Sequence, residues 1–122
     1  MPRNLEIAVI DDDDSFRVAL VESLLSLGYE ASGYASAEDY LHAIEDRSFD
    51  CVVTDVHMPG MSGLDLMRWL TSRGAATPAV LITARSDPNL EAKAAAVNAV
   101  GLLIKPFEMT DLIDYIEGAV KA

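Results

Sequence analysis

Residues 49–63 of the chain have the sequence FDCVVTDVHMPGMSG, in which an apolar segment runs into Asp55 and is followed by Pro and Gly. The apolar segment 49–54 predicts a short buried strand, and the segment after Asp55 predicts a loop. Asp55 is therefore placed at the C-terminal tip of a strand. Open α/β sheets bind their ligands in this position.

Three further apolar segments, 5–10, 79–82 and 100–104, predict strands of the same kind, and each is followed by polar residues. Parallel strands bring their C-terminal ends to one edge of a sheet, so these polar side chains are expected to converge on Asp55. Carboxylate, hydroxyl and ammonium groups in one place predict a site for a divalent cation and a phosphoryl group. The residues concerned are Asp11, Asp12, Thr83 and Lys105.

Apolar residues recur at helical spacing between the predicted strands, so strand and helix alternate five times along the chain. Gly28 is expected to end the first helix. The weaker strand pattern at 29–34 is typical of a sheet edge. The apolar residues that predict the first helix are Phe16, Leu20, Leu24 and Leu27.

Capping signals mark the starts of three further helices. Ser36 and Ser62 are each followed three residues later by an Asp, which is a capping-box pattern. Asp87 precedes Pro88, as expected for an N-cap followed by Pro at the first helical position. The apolar residues of segment 112–120 predict the last helix.

The alternation of strands and helices predicts an α/β fold, a doubly wound five-stranded parallel sheet with helices on both faces. A chain of 122 residues that is 51% hydrophobic is expected to form one globular domain, residues 1–122. No apolar run approaches the ~20 residues needed to cross a bilayer, and residues 1–4 lack an apolar signal stretch. A cytoplasmic protein without a membrane partner is expected.

The net charge of −11 argues against direct binding of this chain to nucleic acid, because phosphate contacts need Lys and Arg. The acids that follow the first and third strands are expected to repel one another and to raise one another's pKa values. A divalent cation relieves that repulsion. Because all these ligands are oxygens, Mg²⁺ is favoured. Asp55 is then suited to act as a carboxylate nucleophile, with Thr83 and Lys105 holding phosphoryl oxygens.

Several short motifs stand at these strand ends and together span the chain. They are Asp11-Asp12, Asp55, Met58-Pro59 with Gly63, Thr83-Ala84, and Lys105-Pro106-Phe107. In combination they resemble the receiver domain of two-component response regulators. The resemblance implies a flavodoxin-like (βα)5 fold with the sheet order 2-1-3-4-5.

The resemblance also implies the function: a phosphorylation-activated switch in which Asp55 accepts a phosphoryl group from a sensor histidine kinase. Asp12, Asp55 and the backbone carbonyl of His57 would ligate Mg²⁺, and Asp11 would act mainly through a bound water. Thr83 and Lys105 would contact the phosphoryl group. The Lys105–Pro106 peptide would be cis. Such a domain catalyses only its own phosphorylation and slow dephosphorylation.

Partners are implied in the same way. Many receivers precede a DNA-binding output domain, which here would lie outside the chain. Leu102 stands where receivers usually carry an aromatic residue that reports phosphorylation. Output is therefore expected to depend on movement of the Ala-rich helix around 92–97 or on dimerisation through another face. We expect this helix to be among the most mobile.

Two positions are candidates for tuning the lifetime of the phosphorylated state. His57 lies two residues after Asp55, and Arg85 lies two residues after Thr83. Both are expected to flank the path of the hydrolytic water. The alternative interpretation is that both side chains simply face solvent.

Two other functions remain open at this point. The spacing Asp11-x-Asp13 after an apolar strand faintly resembles hydrolases of the haloacid dehalogenase type, in which Asp11 would be the nucleophile and Asp13 the acid/base. Phosphate trapped on Asp55 instead of Asp11 would separate the two. The other alternative is a phosphate-independent interaction module that keeps the fold without the switch.

Overall fold

The structure is a computed structural model, which describes residues 4–85 and 87–121. Its strands are β1 (Glu6–Ile10), β2 (Glu30–Tyr34), β3 (Cys51–Asp55), β4 (Ala79–Thr83) and β5 (Gly101–Ile104). Its helices are α1 (Asp14–Ser26), α2 (Ala37–Ala43), α3 (Gly63–Ser72), α4 (Pro88–Ala96) and α5 (Met109–Lys121).

The five strands form one parallel sheet in the order β2-β1-β3-β4-β5. The predicted α/β fold and strand order are confirmed, and β2 lies at an edge as expected. A parallel neighbour can be reached only by a crossover connection, and each crossover here carries one helix.

The sheet separates two hydrophobic clusters, because side chains alternate between its faces. On one face, Ala8 and Ile10 pack with buried residues of α2, α3 and α4. On the other face, Ile7 and Val9 pack with buried residues of α1 and α5. All five residues of β3 and of β4 are buried, as expected for central parallel strands covered on both sides.

Side-chain caps begin four of the helices, and the sequence predicted three of these caps. Ser62 and Asp65 form a reciprocal capping box at α3. Asp13, the acid that precedes α1, is the N-cap of this helix, because its side chain accepts a hydrogen bond from the Phe16 amide at 3.2 Å. The caps are Asp13, Ser36, Ser62 and Asp87.

The end of α1 differs from the prediction at one residue. Leu27 was expected in the buried stripe of the helix, but it is 56% exposed. The helix ends at Ser26, and Gly28 has a φ of +96°, a conformation that glycine adopts readily. Leu27 is the C-cap at this turn, so its side chain no longer follows the apolar stripe of Leu20 and Leu24.

The longest helices described, α1 and α5, have 13 residues each. A transmembrane helix needs about 20 apolar residues. Within residues 4–85 and 87–121, we find no helix with the length and apolar character to span a bilayer.

Candidate functional site

Three carboxylates meet at the C-terminal edge of the sheet. The register pairs Ile10 with Thr54, so Asp11 and Asp12 follow β1 at the level where β3 ends in Asp55. One oxygen of each of the three acids lies within 4.8 Å of the others. Asp11 is fully buried and Asp55 is 7% exposed, whereas Asp12 is exposed. The cluster is therefore closed on the sheet side and open to solvent at Asp12.

Lys105 brings a positive charge to this cluster from the end of β5. Its Nζ donates to Asp11 Oδ2 at 2.8 Å and to Asp55 Oδ2 at 3.4 Å. Only 16% of the Lys105 side chain is exposed. Three ionised carboxylates and one ammonium leave two negative charges without compensation, which matches the charge of one divalent cation.

Backbone amides orient the two buried carboxylates. Asp11 Oδ1 accepts a hydrogen bond from the Asp13 amide at 2.9 Å, and Asp55 Oδ1 accepts one from the His57 amide at 3.1 Å. In each acid, one oxygen is thus held by the following loop and the other by Lys105. The side chains are positioned before any ligand binds.

The electrostatic environment displaces two pKa values. Burial raises the pKa of Asp55 above its ordinary value, and the nearby Asp11 adds to this effect, although the His57 amide and Lys105 oppose it. Burial by itself would lower the pKa of Lys105, but hydrogen bonding and charge from Asp11 and Asp55 outweigh it, so the pKa is raised. Lys105 is therefore a stable cation at this site.

The other predicted site residues lie around this cluster. Thr83 is fully buried at the end of β4, where its hydroxyl accepts a hydrogen bond from the Arg85 amide at 3.1 Å and donates one to the Arg85 carbonyl at 3.2 Å. The hydroxyl thus faces its own loop. His57 and Arg85 are both exposed. The Lys105–Pro106 peptide is cis, as predicted.

Gly63 lets the start of α3 approach the end of β3 closely. A Cβ at this position would collide with the carbonyl oxygen of Asp55. The Gly63 amide donates to the Val56 carbonyl at 3.0 Å, which closes the loop that begins after Asp55. The close approach of the two backbone segments therefore explains why the loop motif after Asp55 has a glycine at position 63.

Sequence reasoning missed three residues that support the site. Arg17 donates to the Asp11 carbonyl at 2.8 Å, and Glu38 accepts from the Met61 amide at 3.1 Å in the loop between β3 and α3. Phe16, which was predicted only as a core residue, also lies against Lys105, with Nζ 4.0 Å from its ring centroid. Its position at the start of α1, beside the strand ends, was the one available signal.

The donor set is suited to Mg²⁺. The ligand candidates are carboxylate oxygens, two from acids that loop amides already orient and one from the exposed Asp12. Mg²⁺ prefers such oxygen ligands and keeps several waters, which an open side of the cluster permits. Asp11, Asp12 and Asp55 are thus the described acids that would hold the ion.

Comparison with known proteins identifies the family. The family model "response regulator receiver domain" matches residues 7–117. The transcriptional regulatory protein FixJ of Azorhizobium caulinodans is 37% identical over 98% of this chain and 57% of its own length. The chain thus spans a little over half of that relative.

A second relative and a solved structure agree. The DNA-binding transcriptional regulator NtrC of Escherichia coli is 30% identical over 92% of this chain and 24% of its own length. The FixJ-N crystal structure superposes with a TM-score of 0.90, at 32% identity, over 98% of this chain and 96% of that one. The chain belongs to the receiver domain family of the response regulators of two-component signalling.

Proposed function

We propose that this protein is a phosphorylation-activated switch in which Asp55 accepts a phosphoryl group from the phosphohistidine of a sensor histidine kinase, with Mg²⁺ bound at the acidic cluster. The observation that carries the proposal is the meeting of three carboxylates with the ammonium of Lys105 at one sheet edge. We propose that the receiver domain extends over residues 1–122.

Asp55 has the geometry of a nucleophile. Its carboxylate is fixed by the His57 amide and by Lys105, so attack needs little reorganisation. One carboxylate oxygen forms a bond to phosphorus, the P–N bond to the donor imidazole breaks, and the electron pair of that bond stays on the nitrogen. The product is an acyl phosphate. Asp12, Asp55 and the His57 carbonyl would hold Mg²⁺, with Asp11 acting through a bound water, and the ion would supply screening of the charge on the phosphoryl oxygens.

Thr83 and Lys105 are proposed to bind the phosphoryl oxygens once the group is on Asp55. Lys105 already lies 3.4 Å from Asp55 Oδ2, so its ammonium needs only a small shift. Thr83 would exchange its hydrogen bonds with Arg85 for one to the phosphoryl group. The added negative charge thereby draws in the loop after β4, which passes the change to the start of α4.

The output is proposed to be control of transcription through a DNA-binding unit or a partner. FixJ and NtrC are named as transcriptional regulators, and each is longer than the segment that this chain matches. The net charge of −11 disfavours contact between this chain and DNA, so we propose that any DNA contact lies in another unit. Dimerisation on phosphorylation is the second route by which the switch would act.

The test is covalent labelling with a small phosphodonor. Wild-type protein incubated with acetyl phosphate and Mg²⁺ is expected to gain the mass of one phosphoryl group, and omission of Mg²⁺ should abolish the gain. Reduction of the acyl phosphate with borohydride, followed by peptide mass spectrometry, should place the label on Asp55. Asp55→Asn should remain unlabelled.

Asp13→Asn is the matched control, because Asn caps a helix as well as Asp and lies in the same acidic turn. The variant should label normally, since Asp13 is engaged with the Phe16 amide. Label on Asp11, with loss of turnover in Asp13→Asn, would support the hydrolase alternative. A folded wild-type protein that takes no label from any phosphodonor would be the interaction module.

A further inference from the structure

Phe16 offers the ammonium of Lys105 a contact that uses no carboxylate oxygen. The Lys105 Nζ lies 4.0 Å from the centroid of the Phe16 ring, over its face. We propose that Phe16 is a positioning residue, which retains this ammonium when a divalent cation takes the oxygens of the acidic cluster. This inference rests on the proposed function.

The ring is held in place from two sides. Phe16 lies in the first turn of α1, and its amide is bonded to the N-cap Asp13 at 3.2 Å. Its ring meets the ring of Phe107 edge to face, with centroids 6.1 Å apart and planes inclined at 72°. Phe107 follows Lys105 by two residues, so the ring and the ammonium are anchored to the same segment. Phe16 is therefore a fixed surface, not a mobile neighbour.

Lys105 and a divalent cation compete for the same acids. The ammonium contacts Oδ2 of Asp11 and Oδ2 of Asp55. Both acids belong to the group that would hold the metal. Two cations at such distances repel each other, so entry of the metal weakens the bonds of Lys105 to the carboxylates.

Because only 16% of the Lys105 side chain is exposed, its ammonium cannot simply turn to water. Loss of its partners would leave a charge in a poorly hydrated place, which is costly. The negative face of an aromatic ring attracts a cation, and it does so more strongly when the cation is desolvated. The attraction between the Phe16 ring and the Lys105 ammonium therefore stabilises the metal-bound state more than the metal-free state. Such a difference is what allows a residue to change an affinity.

The test replaces Phe16 by phenylalanine carrying one, two and three ring fluorines, which withdraw the negative charge of the ring face with little change in shape. The dissociation constant for Mg²⁺ is measured by titration calorimetry on the unphosphorylated full chain. We expect it to rise with each fluorine, by about threefold to tenfold at three fluorines. A flat series would overturn the inference.

Two controls separate a contact with Lys105 from a general effect on the fold. In Lys105→Met, Mg²⁺ should bind more tightly, because its competitor is gone, and the fluorine series at Phe16 should become flat. A rise that persists in Lys105→Met would contradict the proposed role. The same series at Phe49, whose ring centroid lies 4.7 Å from the Arg47 guanidinium carbon, should leave the Mg²⁺ affinity unchanged.

Measuring Mg²⁺ binding and labelling together distinguishes a failure of the role of Phe16 from a failure of the proposed function. A wild-type protein that binds no Mg²⁺ and accepts no phosphoryl group would overturn both. A wild-type protein that binds Mg²⁺ and labels on Asp55, but whose affinity is insensitive to fluorination, would overturn only the role of Phe16.

Discussion

Gly63 shows how closely the backbone approaches itself around Asp55. Because a Cβ at this position would collide with the Asp55 carbonyl, Gly63→Ala must displace either the end of β3 or the start of α3. We expect a loss of about 1–3 kcal/mol in the free energy of unfolding, as in other overpacked sites. We also expect slower labelling of Asp55 by acetyl phosphate. Urea unfolding and the labelling rate measure the two effects.

Gly118→Ala is the matched control for this substitution. Gly118 lies within α5, and a Cβ there would meet no other atom within 4 Å. Since Ala favours the helix over Gly by up to ~1 kcal/mol, this variant should be slightly more stable and should label at the wild-type rate. Equal effects of the two substitutions would contradict the steric explanation.

His57 and Arg85 are expected to control how long the acyl phosphate survives. Both side chains are exposed and lie in the segments that follow Asp55 and Thr83. Replacing both by Ala should open the approach of water and shorten the half-life of the phosphorylated state severalfold. Timing the loss of phosphate after removal of the donor tests this expectation. Arg68→Ala, an exposed change on α3, should not alter the half-life.

At the scale of single residues, the sequence predicted which side chains converge at the strand ends. Asp11, Asp55 and Lys105 could be found because parallel strands end at one edge, whatever the helices do. Phe16 and Arg17 could not be assigned in the same way. Their contacts depend on the rotation of α1 about its own axis, and that rotation is set by tertiary packing.

At the scale of elements, α4 is expected to exchange its amide hydrogens faster than α1. Leu90 and Ala94 are its buried residues, and small side chains bury little apolar area. We expect exchange in the middle of α4 to be roughly tenfold faster than in the middle of α1, which corresponds to about 1.4 kcal/mol less opening free energy. Hydrogen exchange followed by NMR or mass spectrometry gives the comparison. Equal protection of the two helices would show α4 to be firmly packed.

Strand β5 shows why the order of strands and helices was easier to predict than the side chains that cover each strand. Leu102 stands where the resemblance to receivers led us to expect an aromatic residue, and it is partly buried. The Tyr115 ring of α5 nevertheless lies over the same strand, so close to Gly101 that a Cβ there would collide with it. Apolar periodicity predicted both β5 and α5, but it contains no information about which ring covers which strand. The boundary error at Leu27 has a similar origin, because periodicity does not show where a turn begins.

At the scale of the whole molecule, the acidic cluster is expected to weaken the metal-free fold. Asp12→Asn removes one of three mutually repelling charges, so the metal-free variant should have a Tm a few degrees above that of the wild type. Mg²⁺ at 100 times its Kd should stabilise the wild type by about 2.7 kcal/mol. The same Mg²⁺ concentration should stabilise the Asp12→Asn variant much less. Thermal unfolding with and without Mg²⁺ measures both effects.

Asp46→Asn changes the net charge equally, at an exposed position after α2 and away from the cluster. If repulsion among all the charges of a chain with a net charge of −11 caused the higher Tm of Asp12→Asn, both variants would have the same raised Tm without Mg²⁺. We expect Asp46→Asn to have nearly the wild-type Tm and to keep the full response to Mg²⁺.

The ion pair between Asp11 and Lys105 joins residues 94 positions apart, which directly follow the first strand and the last. A nascent chain therefore presents its acids before the balancing cation has left the ribosome. The chemistry proposed for Asp55 would therefore begin only when synthesis has passed β5 and the sheet has formed. We expect an unfinished polypeptide not to accept a phosphoryl group from a kinase, so that no signal is passed on before synthesis of the domain is complete.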